Sequence, residues 1–233
     1  MCGIFGSTIF KNYERLYTAN RKRGNFSYGS LYTTKGREIY IRKRAGMVDL
    51  TGDYAFSDDY NHFLGHTQAP TSSSRNFSPI TSHPFEDFYY IVAHNGVLEN
   101  DRQLVEELIP DHPNPVDSSV IPALISLVFE FSEEFLGEDL NEGKRTAEIV
   151  ALEKACNQLQ GTFACWIYSK LTGCTFLVRS GSTLYGNIDT GEFSSIRVPG
   201  IVEDELREGI IYCATTEGIA TCGEFQSNSP FFL

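Results

Sequence analysis

Residues 1–10 read MCGIFGSTIF: a start methionine, a cysteine, and an apolar run punctuated by glycine, with the residue-to-residue alternation of a β-strand over CGIFGSTI. Methionine aminopeptidases act when the second residue is small, so Cys2 is expected to become the mature N-terminus. That places a thiol and a free α-amine on one residue. The amine titrates at about 7.7–8.0 in model peptides, close enough to neutrality to accept the thiol proton directly or through one water. N-terminal threonine nucleophiles work by the same logic. Position two is therefore the first candidate for chemistry.

Working outward, period-two or continuous apolar runs recur as YGSLYTT, EIYIRK, NHFLGHT, FYYIVAH, TFACWIY, CTFLVRS and IIYCATT, each bounded by turn-forming residues. They predict strands, mostly antiparallel. Helical patterns lie between them: DRQLVEEL after Asn100, SSVIPALISLVFEF after Asp117, and a segment with Ile149, Leu152, Cys156 and Leu159 on one face, stopped by Gly161. Strands grouped at both ends with helices in the middle predict an α+β sandwich of layers rather than a βαβ array. No repeat or linker divides the chain, and residues 1–233 are expected to form one domain. The rigid stretch PDHPNP, Pro110 to Pro115, and the acidic segment Glu133 to Glu142 read as a loop and a solvated helix end.

The chain carries 30 acidic and 19 basic side chains, a net charge of -11, which opposes general attraction to nucleic-acid phosphates or anionic membranes. It lacks a signal-like leader and a membrane-length apolar run, so a cytoplasmic protein with small-molecule or protein partners is expected. The six cysteines form no C-x-x-C pair, which argues against a zinc or redox motif, and Cys165 and Cys213 read as small buried hydrophobes. His62 and His66 stand four apart, but Gly65 and a strand-like context argue against a shared helical face and against a metal. His66, His83 and His94 are expected to be hydrogen-bonding residues around a site.

Seven further segments follow MCGIFG in a telling order. RKRGNFSYG holds Arg23, Gly24, Ser27 and Gly29; GHTQAPTS holds Gly65, His66, Thr67, Gln68 and Thr71; then come HPF, AHNGVLEN with His94, Asn95, Gly96 and Asn100, and DSSVI with Asp117, Ser118 and Val120. LQGTFACWIY and VRSGSTLYG, with Arg179, Gly181, Leu184 and Gly186, complete the series. Together they resemble the glutaminase domain of the class II glutamine amidotransferases, N-terminal-nucleophile hydrolases that include glucosamine-6-phosphate synthase, amidophosphoribosyltransferase and asparagine synthetase. Three positions depart from the family pattern: Phe26 stands at an aspartate, Gln68 at an arginine and Ser119 at a glutamate.

The resemblance implies a four-layer αββα sandwich and hydrolysis of the glutamine side-chain amide through a γ-glutamyl thioester on Cys2. It gives the oxyanion hole to the Asn95 amide and the Gly96 backbone N–H, the substrate α-ammonium to Asp117, and the α-carboxylate to position 68; Thr67 and Thr71 offer hydroxyl contacts to that carboxylate, although threonine is also ordinary in a strand. Arg23 is implied to position Cys2. No cofactor or metal is called for. These residue types suit the chemistry: asparagine is a neutral donor, and glycine lets its N–H turn toward the site. Asn-Gly also suits a turn, and Asp117 equally suits a helix N-cap, a role compatible with binding through its other oxygen. Family members usually carry a second, ammonia-consuming domain, so a separate synthase partner is expected. Two alternatives stay open: an N-terminal-cysteine hydrolase for another amide or γ-glutamyl compound, and a catalytically silent regulatory subunit.

Overall fold

The computed structural model describes residues 2–50, 60–69, 76–113, 115–133 and 142–227. In chain order these form β1 (Gly3–Ser7), α1 (Phe10–Asn20), β2 (Ser27–Thr34), β3 (Ile39–Ala45), β4 (Tyr60–Gln68), β5 (Phe85–Glu86), β6 (Tyr90–Leu98) and α2 (Asp101–Leu108). A short 3-10 turn, Asp117–Ser119, leads into α3 (Val120–Glu133) and α4 (Glu142–Gln158). Then follow β7 (Gly161–Ser169), β8 (Thr175–Ser180), β9 (Tyr185–Gly186), β10 (Phe193–Ser194), β11 (Asp204–Glu205), β12 (Ile210–Thr215) and β13 (Gly218–Glu224).

The strands make two antiparallel sheets, one ordered β11-β9-β10-β1-β4-β2-β3 and the other β13-β12-β8-β7-β6-β5. Helix α1 covers the outer face of the first sheet, and the other three helices cover the second, giving the αββα sandwich that the sequence leads one to expect. Three apolar clusters fill the three interfaces. Tyr13, Leu16 and Tyr17 of α1 pack with Phe5, Tyr28 and Phe63; Ile4, Leu31, Leu64, Ala93, Trp166 and Leu177 meet between the sheets; Val92, Leu124, Leu152, Ile167 and Val178 pack under α3 and α4. Each such buried aliphatic or aromatic side chain contributes roughly 1.5–3 kcal/mol. Trp166, fully buried, donates its indole N–H to the Gly65 carbonyl at 3.0 Å, so one polar contact fixes the sheets against each other inside the apolar layer.

Three features differ from the sequence reading. Helix α1 was not expected: its buried face is Tyr13, Leu16, Tyr17 and Asn20, so a helical period is carried partly by an asparagine, and Ile9 at its start makes no side-chain cap. Gly161 does not stop α4, which ends at Gln158; it begins β7 opposite Leu98, and the junction is closed by Asn100, whose side chain bonds Gln158 O and Gln160 N. Asp117 is the first residue of the 3-10 turn, and the N-cap position falls to Val116. Residues 134–141 of the acidic segment lie outside the described residues. No helix among the described residues is long and apolar enough to cross a membrane.

Candidate active site

Cys2 lies directly ahead of β1, half-buried and with a free thiol. Strand β1 runs antiparallel to β4 with Gly3 opposite Thr67, so Cys2 comes to the end of β4, where the backbone of Ala69 hydrogen-bonds its thiol. Burial pushes the Cys2 thiol up; the Ala69 contact and the Arg23 charge pull it down, while the Asp117 carboxylate pushes it up again. The rise prevails. A thiol held protonated in this way needs a base beside it before it can attack.

Arg23 is turned inward at the end of α1. Its Nη1 donates to Ser195 O at 2.9 Å and to Thr183 Oγ1 at 3.1 Å. Next to it, Gly24 runs against the end of β4 so closely that a Cβ there would stand 2.3 Å from the Gln68 carbonyl carbon, which explains the need for glycine after this arginine. Ser195 is the centre of the arrangement. Its Oγ accepts from the Ile4 N–H at 3.0 Å and from Asn95 Nδ2 at 3.5 Å, and its own N–H donates to Ile4 O at 2.8 Å. One serine thus links the strand that carries Cys2 to the asparagine of the opposite sheet. Ser195 and Thr183 were missed in the sequence because neither forms a recognisable motif; Thr183 falls at an unspecified position inside VRSGSTLYG.

Asn95 and Gly96 do not form a turn. Both lie within β6, opposite Ala164 and Phe163, and Gly96 has φ +155°. A Cβ on Gly96 would stand 1.9 Å from Thr162 O and 2.7 Å from His94 Nε2. No other residue fits there. Asn95 is buried and Gly96 exposed, with one Asn95 amide hydrogen directed to Ser195 and a second remaining for a ligand.

Asp117 Oδ2 accepts the Leu98 N–H at 3.0 Å, and Oδ1 stands 3.2 Å from Ser118 Oγ. Its charge reaches both Cys2 and His94. Gln68 is buried, and its Oε1 accepts from Ser27 Oγ at 2.7 Å; its amide nitrogen makes no hydrogen bond to the described residues. Thr67 is turned to the other face of the sheet, where its hydroxyl donates to Asn20 O at 2.9 Å at the end of α1. Thr71 and Arg75 lie outside the described residues. The structure therefore gathers Cys2, Arg23, Gln68, Asn95, Gly96 and Asp117 at one end of the two sheets, while the Thr67 hydroxyl serves the helix junction.

The histidines stand behind this cluster. His66 and His83 stack at 3.9 Å between ring centroids, and His66 Nε2 donates to His94 O at 3.2 Å. Burial lowers His66 to about 3, so it is neutral in the folded protein near pH 7. Among the described residues no group of three or more His, Cys, Asp or Glu side chains could hold a metal ion. Farther off, Arg179 bridges Glu205 and Glu208 at 2.5 and 2.8 Å and holds β8 to β11 and the residues after it.

No family model matches the chain. It is 33% identical over 220 residues to glutamine–fructose-6-phosphate aminotransferase (isomerizing) of Thermococcus kodakarensis, covering 87% of this chain and 33% of the relative. It is 24% identical over 178 residues to 7-cyano-7-deazaguanine synthase 2 of Sulfurisphaera tokodaii, covering 70% and 35%. The chain thus spans about a third of the length of these curated relatives. Among solved structures, the glutamine phosphoribosylpyrophosphate amidotransferase of B. subtilis superposes with a TM-score of 0.63 at 17% identity, over 95% of this chain and 49% of that one. A glutamine aminotransferase class-II domain protein from Silicibacter pomeroyi has a TM-score of 0.52 at 15% identity, over 97% and 99%. The chain has the class II glutamine amidotransferase-like fold and is distantly similar in sequence to the two curated proteins.

Proposed function

We propose that this chain is a glutaminase domain in which Cys2, exposed by removal of Met1, hydrolyses the side-chain amide of glutamine and supplies ammonia to a separate synthase. The observation that carries the reading is the Ser195 link. An amide donor, Asn95, is tied to the strand of an N-terminal cysteine, with an Arg23 charge and an Asp117 carboxylate acting on the same thiol. In the reaction the α-amine of Cys2 takes the thiol proton and the sulfur attacks the amide carbon. The oxyanion is held by Asn95 and the Gly96 N–H, and the amine returns its proton to the departing nitrogen. Ammonia leaves; water then adds to the γ-glutamyl thioester and expels the thiol, giving glutamate. Asp117 Oδ1 receives the substrate ammonium.

A processed N-terminus is required, because an extra residue would make the base an amide nitrogen. Intact-mass measurement of active protein is expected to show the loss of Met1. Ammonia release is expected from glutamine in preference to asparagine and γ-glutamyl amides, and a protein that retains Met1 and is fully active would overturn the mechanism.

Gln68 favours a second reading, a substrate with a neutral group in place of the α-carboxylate. Its amide oxygen is occupied by Ser27, so only a neutral N–H donor remains where an arginine would offer a charged fork. If free glutamine is the substrate, Gln68→Arg gains roughly 1–2 kcal/mol of binding, a five- to thirtyfold lower KM with kcat retained. Ser27 can accept from the new side chain. If the native substrate is neutral there, the same variant loses native activity and leaves glutamine poor. Steady-state kinetics on both amide classes decides between them.

A further inference from the structure

Behind the site runs one hydrogen-bonded line: Thr162 O, His94 Nε2 at 3.3 Å, His94 Nδ1, Ser118 Oγ at 2.8 Å, and Asp117 Oδ1 at 3.2 Å. It joins the two halves of the candidate site, since Thr162 O and His94 Nε2 are the atoms packed against Gly96, and Asp117 is the carboxylate whose charge reaches Cys2. The order of protons along it follows from what each atom can do. A carbonyl only accepts, so Nε2 carries the hydrogen. In a neutral ring Nδ1 is then a lone pair and must receive the Ser118 proton. Ser118 has one proton, and the shorter of its two contacts is the one to His94. Asp117 Oδ1 is consequently left beside an oxygen that has nothing to donate. Burial favours this neutral ring, against the opposing pull of Asp117 and the Thr162 carbonyl.

We propose that His94 is a positioning residue with two separable effects: through Thr162 it fixes the Gly96 backbone for the oxyanion, and through Ser118 it keeps Asp117 Oδ1 without a donor so that a substrate ammonium can occupy it. The inference rests on the glutaminase reading above for its kinetic consequences, but the proton order is a property of the folded chain alone. An imidazolium would reverse the line: Nδ1 would donate to Ser118, Ser118 would donate to Asp117, and the carboxylate oxygen would be occupied before substrate arrived.

Two near-isosteric variants separate the effects. In His94→Gln the amide nitrogen can reach Thr162 in place of Nε2, but no acceptor remains for Ser118, whose proton passes to Asp117. The expected result is a KM for glutamine raised at least fivefold with kcat within threefold of the parent. In His94→Asn the amide replaces Nδ1 and the Thr162 contact is lost. There kcat is expected to fall about tenfold with KM little changed. Adding Ser118→Ala to His94→Gln removes the misdirected proton and returns KM toward the parent value. Imidazole ¹⁵N NMR of the Met1-free protein at neutral pH is expected to show a neutral His94 protonated at Nε2. A ring protonated at Nδ1, or two variants that change kcat and KM in the same proportion, would overturn the proposal. A parent protein that releases no ammonia from glutamine overturns the glutaminase reading instead, and the ring tautomer then decides the proton order by itself.

Discussion

Cys2→Ala is expected to lose about 10⁴-fold or more of ammonia release, the scale on which removing an enzyme's nucleophile acts. Cys156 is buried and pushed up to about 12, and burial holds Cys165 well above the ordinary thiol range, so neither presents a thiolate. Cys2 is also raised, yet it alone carries its own α-amine once Met1 is gone. Cys2→Ser should be nearly as inactive, because an amine titrating near 8 can draw a proton from a thiol far more readily than from an aliphatic hydroxyl. A glutamine-like electrophile should label the parent protein at Cys2 and leave Cys156 and Cys165 unmodified, as read by peptide mass spectrometry. Ammonia release that persists in Cys2→Ala, or label recovered on another cysteine, removes Cys2 from the chemistry. The folded state should be nearly unaffected, since the Ile4 N–H and carbonyl that hold β1 to Ser195 are untouched.

What was legible in the sequence was whatever a short run of residues decides locally. Runs such as NHFLGHT and TFACWIY gave strands because a short, mostly apolar run bounded by turn residues suits a strand buried on both faces, as β7 is. Cys2, Asn95, Gly96 and Asp117 could be named as candidates because each sits in a compact pattern. Contacts between distant segments were not legible. Ser195 follows Ile4 by 191 positions and Asn95 by 100, and serine in FSSIR carries no local signal that it will join two sheets. Helix α1 was hidden because its buried stripe ends on Asn20, a residue whose Nδ2 donates to Leu16 O and to Ser194 Oγ, far along the chain. The direction of Thr67 was open for a related reason: a strand residue faces one side or the other, and only the register Tyr28–Thr67, with Tyr28 packed against α1, fixes which. Asp117 suits a helix start and a ligand site equally well until the Leu98 N–H is seen to occupy Oδ2.

Asn95→Ala is expected to lower kcat by about 10²–10³, equivalent to roughly 2.7–4 kcal/mol of transition-state stabilisation, with KM for glutamine changed much less. The separation follows from the chemistry. The substrate carbonyl is a weak acceptor, whereas the tetrahedral oxyanion carries a full charge, so a preformed amide donor acts mainly on the second. Two observations keep the result from being a folding effect. The Asn95 amide contact to Ser195 is long, 3.5 Å, and Ser195 Oγ keeps the Ile4 N–H when the amide is removed. The backbone of β6 is held by its pairing with β7, where residue 95 stands opposite Ala164, and that pairing does not depend on the side chain. Thermal unfolding of the variant should therefore stay close to the parent. Asn95→Asp should be worse than alanine near neutral pH, because it sets a carboxylate against the developing negative charge. Ser195→Ala frees the amide without deleting it and should fall between the parent and Asn95→Ala. If Asn95→Ala leaves kcat unchanged while folding normally, Asn95 is not an oxyanion donor, and the Gly96 N–H would have to hold that charge without it.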